Sequence, residues 1–184
     1  MAVKGVVAAG HPETARAAGA ILEMGGNAFD AVLAAHLAAC VAEPVLTSLG
    51  GGGFLLAQRD EEARLYDFFV QTPLERRPLE ALDFHPIHAD FGTATQAFHI
   101  GIGSIAVPGF IKGLFAIHEE LCNLPLEVIM APAIRLAREG VVVNALQAHA
   151  FQVVAPIYAQ SPEALRLFGS PGHPGRLAQE GERL

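Results

Sequence analysis

Three groups of residues have side chains or spacing suited to chemistry. Gly50, Gly51, Gly52 and Gly53 stand in a row within EPVLTSLGGGGFLLAQRD, Glu43 to Asp60, just after Thr47 and Ser48. Glycine loses more conformational freedom on folding than any other residue. Four in succession therefore need a reason: a phosphate cradle, a close approach of two backbones, or a flexible tether. A phosphate loop needs GxxxxGK[ST], but Phe-Leu-Leu follows Gly53. A dinucleotide fingerprint runs strand, glycines, helix, and here the order is helix, glycines, strand. Ser48 lacks the G-x-S-x-G context of a nucleophile elbow, and Thr47 and Ser48 serve equally well as turn hydroxyls. The second group is His85, His88, Asp90 and His99. His-x-x-His can bind zinc, but a closed site needs a fourth ligand and outer support, and loop histidines are more often simply solvated. The third group, Cys40 and Cys122, lies in apolar helical patterns without CxxC spacing, which reads as two buried thiols and no disulfide.

The elements that must position these residues alternate between helix and strand. Val3 to Ala9 is a β-branched run that reads as a buried strand ended by Gly10. HPETARAAGAILEMGG follows as a helix, with Pro12 and Glu13 in the first turn and Gly25-Gly26 as its stop. Asn27 suits an N-cap, with Asp30 three residues on. The next helix, AFDAVLAAHLAACVAE, is apolar nearly all round, as buried helices are, and Pro44 stops it. FLLAQR and RLYDFFV flank Asp60 to Ala63 as an antiparallel hairpin closed by Thr72-Pro73. Residues 74 to 100 read mostly as loop. GSIAVPG reads as a short strand entering a helix on which Phe110, Leu114, Ile117 and Leu121 recur. Leu126, Ile129, Met130, Ala133, Ile134 and Ala137 mark the clearest amphipathic helix, capped by Gly140. A further helix covers Ala145 to Ala155, and the tail SPGHPGRLAQEGERL is turn-rich, without a closing element. The class is α/β or α+β with several buried helices.

Hydrophobic residues make up 52% of the 184-residue chain and charged residues 17%, against about 25% charged in a typical soluble domain. No window approaches the ~18 apolar residues of a membrane span. The excess apolar content fits surface buried against another subunit or more of the same chain, and fits equally an alanine-rich protein with small core residues. A net charge of −7 argues against a nucleic-acid partner, which calls for a basic patch. The N-terminus, MAVKGVVAAG, has too short an apolar run for a signal peptide. The expected location is the cytoplasm, or the periplasm if a leader has been removed.

At this point the motifs carry a resemblance. HPETARAAGAILEMGGNAFDAVLAAHLAACVAEPVLTSLGGGGFLL resembles the opening of the gamma-glutamyltransferase (gamma-glutamyltranspeptidase) family: His-Pro, a helix ending Gly-Gly-Asn-Ala, Asp-Ala, an Ala-rich helix, Glu-Pro and Gly-Gly-Gly-Gly-Phe. A second block, GSIAVPGFIKGLFAIHEELCNLPLEVIMAPAIRLAREG, is similar to the family's Val-Pro-Gly, Gly-Leu, Leu-Pro and Ala-Pro-Ala-Ile-x-Leu-Ala-x-x-Gly. The match runs from about Gly5 to Gly140, is weaker in the tail, and marks residues 1–184 as a single-domain fragment, the N-terminal part of a large subunit. The resemblance implies an N-terminal-nucleophile hydrolase fold, an αββα sandwich present here only as its helix-rich N-terminal portion. It also implies a self-cleaving precursor whose small subunit begins with a Thr that is nucleophile and, through its amine, base. The reaction is transfer or hydrolysis of a gamma-glutamyl amide such as glutathione, with no metal or organic cofactor. The expected partners are the remainder of the precursor and a small-molecule gamma-glutamyl or acyl-amide substrate.

Two departures qualify the expectation. No Thr-Thr-His-type segment is present; GTATQ, Gly92 to Gln96, is the nearest and lies in the wrong region, and the chain starts with Met1. No catalytic residue is expected in this chain, which alone should be inactive. A non-catalytic truncated homologue or partner subunit is the alternative. The second departure lies in DFFVQTP. Where the family has Asp-Phe-Arg-Glu, with the Arg holding the glutamyl carboxylate, Asp67 and Phe68 match, but Phe69 stands at the Arg position and Val70 at the Glu position. Phe69, Val70 and Gln71 are the expected substrate-binding residues. Loss of such a pair costs ~2–5 kcal/mol when one partner is left buried. This favours an acylase with a less acidic acyl group, unless Arg76 or Arg77 supplies the charge. The glycines, Gly50 to Gly53, are expected to form a tight structural turn where side chains would clash, so that Gly51→Val impairs folding.

Overall fold

A computed structural model describes residues 5–184. The chain forms two compact units, one from the residues up to Gln71 together with Val107–Glu139, the other from Thr72–Ala106 and Gly140–Leu184. Both mix helix and strand, as the sequence pattern predicts.

The first unit is built on helix α1 (Pro12–Glu23) and helix α2 (Ala28–Ala42). His11 caps α1, its Nδ1 accepting from the Glu13 amide at 3.1 Å, and Gly25 turns the chain out at φ +90°. Asn27 and Asp30 form a reciprocal capping box at the start of α2. The small alanines of α2 let neighbours approach on most sides. Leu33, Ala34 and Leu37 are buried in one cluster with Ile21 of α1, and Ala38 is buried as well. Strands β1 (Phe54–Arg59) and β2 (Glu62–Asp67) pair antiparallel from Phe54↔Asp67 to Arg59↔Glu62, and Asp60 turns the hairpin at φ +52°. The second strand starts and stops earlier than RLYDFFV suggests, because Phe68 turns inward to the core. Helix α3 (Phe110–Leu121) and helix α4 (Leu126–Glu139) complete the unit. Phe110, Leu114, Ile117 and Leu121 of α3 are all buried, as their spacing predicts.

Of the expected Val3–Ala9 strand, Val3 and Lys4 lie outside the described residues. The remainder is not a strand: no described strand pairs with it, and Val6 is fully exposed. GSIAVPG is likewise no full strand. Ile102–Ser104 is a single 3₁₀ turn, and the following segment makes one bridge, Gln71↔Val107.

The second unit departs most from expectation. Residues 74 to 100 contain a hairpin, β3 (His85–Asp90) and β4 (Thr95–Ile100), paired from His85↔Ile100 to Asp90↔Thr95. Gly92 at φ +85° and the Asp90 carboxylate, accepting from the Gly92 amide at 2.7 Å, make its turn. Helix α5 (Ala145–Tyr158) runs three residues beyond the expected Ala155 and begins with an Asn144–Gln147 capping box. The tail closes rather than trails: helix α6 (Pro162–Phe168) leads into β5 (Gly169–Ser170) and β6 (His173–Leu177). Leu184 and Glu182 then bond back to Val141 and Val143. Phe151, Tyr158 and Phe168 stack around a small aromatic core. Among the described residues no helix is long and apolar enough to cross a membrane.

Candidate functional site

Phe68 organises a cleft that contains the sequence-predicted binding residues Phe69 and Gln71. It leaves the end of β2 and buries its ring beside Phe110 and the glycines Gly53 and Gly113. Its main chain pairs with Gly53 in both directions, at 3.1 and 3.3 Å. Glycines surround it because nothing larger fits. A Cβ on Gly52 would lie 2.6 Å from the Val70 amide nitrogen and 2.7 Å from the Phe68 carbonyl, and one on Gly109 would lie 2.2 Å from that same carbonyl. The Gly51 carbonyl accepts from the Gly109 and Phe110 amides, both at 3.1 Å, which ties the glycine run to the start of α3. None of Gly50 to Gly53 has positive φ. The close approach is concentrated at Gly52; at Gly50 a Cβ meets nothing nearer than 3.9 Å.

Next to Phe68 opens a cleft of about 450 Å³, lined by Tyr66, Asp67, Phe69, Gln71, Val107 and Lys112 among others. Phe69 is half exposed and stacks on Phe54, ring centroids 5.4 Å apart and 12° from parallel. The Asp67 carboxylate accepts from the Phe69 amide at 3.0 Å and so fixes the turn into the cleft. Gln71 joins through its backbone, exchanging hydrogen bonds of 3.0 and 2.7 Å with Val107. Val70 contributes the amide that packs over Gly52. Arg76 and Arg77 belong to the second unit, where they line a different cleft with Glu75 and Asp83.

The histidine group does not assemble as a donor set. His85 faces Asp83 at 3.4 Å, and His99 stacks flat on Phe84 at 4.4 Å. Among the described residues no three His, Cys, Asp or Glu side chains come together in metal-binding geometry. Thr47 shares a contact of 3.7 Å with the Cys40 thiol, and the Ser48 carbonyl accepts from Gly51. Both lie in the turn that leads from α2 into the glycines.

Two residues were not singled out by sequence reasoning as more than a cap or a helix position. Asp30 is fully buried. Besides the Asn27 amide, its carboxylate accepts from the Asn123 and Leu124 amides at 3.0 and 3.1 Å, and so pins the α3–α4 connection to α2. Beside it the Cys122 thiol is pushed up to about 12, first by burial and then by the Asp30 charge. The other is Lys112, whose only sequence signal is a lone cation in the first turn of an amphipathic helix.

The fold and this cleft can be set beside known proteins. Residues 14–184 match the family model described as gamma-glutamyltranspeptidase, and the chain belongs to that family. It is 31% identical over 170 residues to glutathione hydrolase 3 of Arabidopsis thaliana, covering 91% of this chain and 25% of that protein. It is 30% identical over 182 residues to the acylase ACY 1 proenzyme of Pseudomonas sp. strain SE83, covering 96% of this chain and 33% of that one. Among solved structures, gamma-glutamyltranspeptidase of Helicobacter pylori matches with a TM-score of 0.82 at 25% identity, over 100% of this chain and 51% of that one. The chain thus spans a quarter to a third of the length of these two curated relatives.

Proposed function

We propose that this chain is the N-terminal part of the large subunit of a self-cleaving precursor. The mature enzyme transfers or hydrolyses a gamma-glutamyl or related acyl amide, with glutathione as the reference donor. The catalytic Thr belongs to the rest of the precursor, and this portion supplies scaffold and one wall of the acyl pocket. The observation that carries the reading is the family match over residues 14–184, with Phe69 of the family's carboxylate-binding position opening into a cleft. In this reading Phe69, Val70 and Gln71 form the acyl-pocket wall. Gly50 to Gly53 are the turn that lets the backbones of Gly52 and Phe68 pass at close range.

A second reading is favoured by one specific feature. Phe69 and Phe54 present stacked aromatic faces where the family has a guanidinium, and this chain is similar to an acylase over nearly its whole length. An acylase with non-glutamyl specificity follows from that pair.

Release of chromophore from a gamma-glutamyl anilide, by the 184-residue chain and by the full product of its gene, tests the proposal. The expected result is release by the full product and silence from the 184-residue chain. Release from neutral acyl anilides alone would favour the acylase reading. Silence of the full product toward every amide would overturn both.

A further inference from the structure

We infer that Glu43 is a positioning residue: Thr14 anchors its side chain to the start of α1, and through the strained turn at Val45 it sets where the glycine run lies against the backbone of the acyl-pocket wall. The catalytic consequence rests on the reading of Phe69, Val70 and Gln71 as that wall.

His11-Pro12 opens α1 and Glu43-Pro44 closes α2. The fold brings these two steps together. The hydroxyl of Thr14, a buried residue, donates to Glu43 Oε2 at 3.2 Å. A Cβ on Gly10 would lie 2.7 Å from Glu43 Oε1, so the carboxylate packs against the backbone that enters α1. The Glu43 charge also acts on the buried His11 ring. Beyond Glu43 the chain turns sharply. The Glu43 carbonyl accepts from the Leu46 and Thr47 amides, both at 3.2 Å, and inside that turn Val45 stands at φ +79°. A β-branched residue at positive φ is strained, and such strain persists only where the surroundings over-determine it. The Thr47 hydroxyl adds a contact of 3.7 Å with Cys40 Sγ of α2. From the turn the backbone bonds run on: the Ser48 carbonyl accepts from the Gly51 amide at 3.1 Å, the Gly51 carbonyl holds the Gly109 and Phe110 amides, and Gly53 pairs with Phe68. Release of Val45 to negative φ would redirect the chain just before the glycines. A valine stays at positive φ only while its neighbours are fixed. The anchoring of Glu43 and the seating of Gly52 against the Val70 amide are therefore coupled.

The test uses the full gene product, whichever of the gamma-glutamyl and neutral acyl anilides it cleaves, and amide hydrogen exchange at residues 46–53, all well below each variant's melting temperature. Glu43→Ala should lower kcat/KM roughly 10-fold, the scale of one lost charge-assisted hydrogen bond. It should speed exchange of the Gly51 and Gly53 amides by a similar factor. Glu43→Gln keeps an acceptor for Thr14 and should restore most of both. Thr14→Val removes the donor at nearly constant shape and supplies the same comparison if Glu43→Ala does not fold. The deciding step is Val45→Gly. Glycine takes positive φ without strain, so in that background each loss should shrink by about 5-fold or more, the weight of one residue's left-handed strain. Losses of equal size in both backgrounds would mark ordinary packing and overturn the inference, as would unchanged exchange in Glu43→Ala and Thr14→Val. Faster exchange with unchanged kcat/KM would overturn the catalytic consequence. Wild-type product that cleaves no anilide would remove the reading of the pocket wall, and exchange alone would then decide whether Glu43 holds the turn.

Discussion

The ring of Phe68 occupies the space that a side chain on Gly113 would need: a Cβ there would lie 2.3 Å from Phe68 Cγ. Gly→Ala inside a helix is otherwise worth ~0.5–1 kcal/mol in favour of folding. Here the overlap reverses the sign. Gly113→Ala should lower stability by ~1–3 kcal/mol, the usual cost of overpacking. Gly19→Ala in α1, where a Cβ meets nothing within 4 Å, should raise it. Thermal melting of the two variants checks the contrast, and equal melting temperatures would contradict the packing account.

The glycine run offers a second contrast. Gly52→Ala places a Cβ 2.6 Å from the Val70 nitrogen, where only backbone can move, whereas a Cβ on Gly50 makes only an ordinary contact of 3.9 Å with the Ser48 hydroxyl. Gly51 is intermediate, 3.2 Å from the Ser48 carbonyl, so the cost first assigned to Gly51→Val falls more heavily on Gly52. Gly52→Ala should abolish soluble, folded protein or cost ~2 kcal/mol or more, and Gly50→Ala should be tolerated. Denaturant midpoints of both variants decide the matter.

Asp30→Ala leaves three backbone amides without an acceptor: those of Asn27, Asn123 and Leu124. Each buried donor left unpaired costs ~1–3 kcal/mol, so unfolding at ambient temperature is the expected outcome. Asp30→Asn retains an acceptor oxygen and should be milder. Urea titration of the two variants, with an order Asp30→Ala worse than Asp30→Asn, checks this. The reverse order would mean that the charge rather than the acceptor geometry matters.

The Cys122 thiol, raised to about 12 by burial and by Asp30, remains protonated across the physiological range. Because the thiolate is the reactive form, iodoacetamide should label Cys122 slowly at pH 8 in the native protein. In Asp30→Asn the rate should rise, since the second cause is removed while burial remains. Fast labelling of the native protein at pH 8 would exclude this environment for the thiol.

The C-terminal segment of the second unit has a pH signature. Glu182 is held below the usual carboxylate range by the Gln179 amide first, then by the Ser170 hydroxyl and the Arg176 guanidinium. A depressed carboxylate pKa contributes stability that is present above the unfolded value, about 4.3, and is lost as pH falls through the folded one. Glu182→Gln should therefore lower stability at neutral pH, where the carboxylate contributes, change it least at the acid end, and so flatten the acid limb of the profile below about pH 4. An unaltered acid limb would remove Glu182 from that role.

The sequence was most legible where local chemistry and burial agree. Asn27 and Asp30 announced a helix start by their spacing, and the four apolar positions of α3 fell on one buried face. The β3–β4 hairpin was hidden because His85, Pro86, Thr95 and Gln96 carry no strand pattern, and only Ala89 on it is fully buried. The tail was misread for a related reason. Its partners, Val141 and Val143, are distant in sequence, and the bonds that hold Glu182 and Leu184 are made by backbone. Phe69 was found as a departure from a motif; Lys112 was not found at all. It shares the lining of a cleft with Asp67 only through the fold, and a lone helix-surface cation has no such context in sequence.

The paired backbones of Gln71 and Val107 have an evolutionary consequence. Everything between them, residues 72 to 106, leaves and rejoins the first unit at a single hydrogen-bonded doorway. The entropy of closing such an excursion grows only with the logarithm of its length, by about 0.6 kcal/mol per doubling. Insertions and deletions between those two posts are therefore the cheapest length changes that the first unit can absorb. Within the family, this stretch should be a natural place for lineages to diverge while the helices around Asp30 and Phe68 stay fixed.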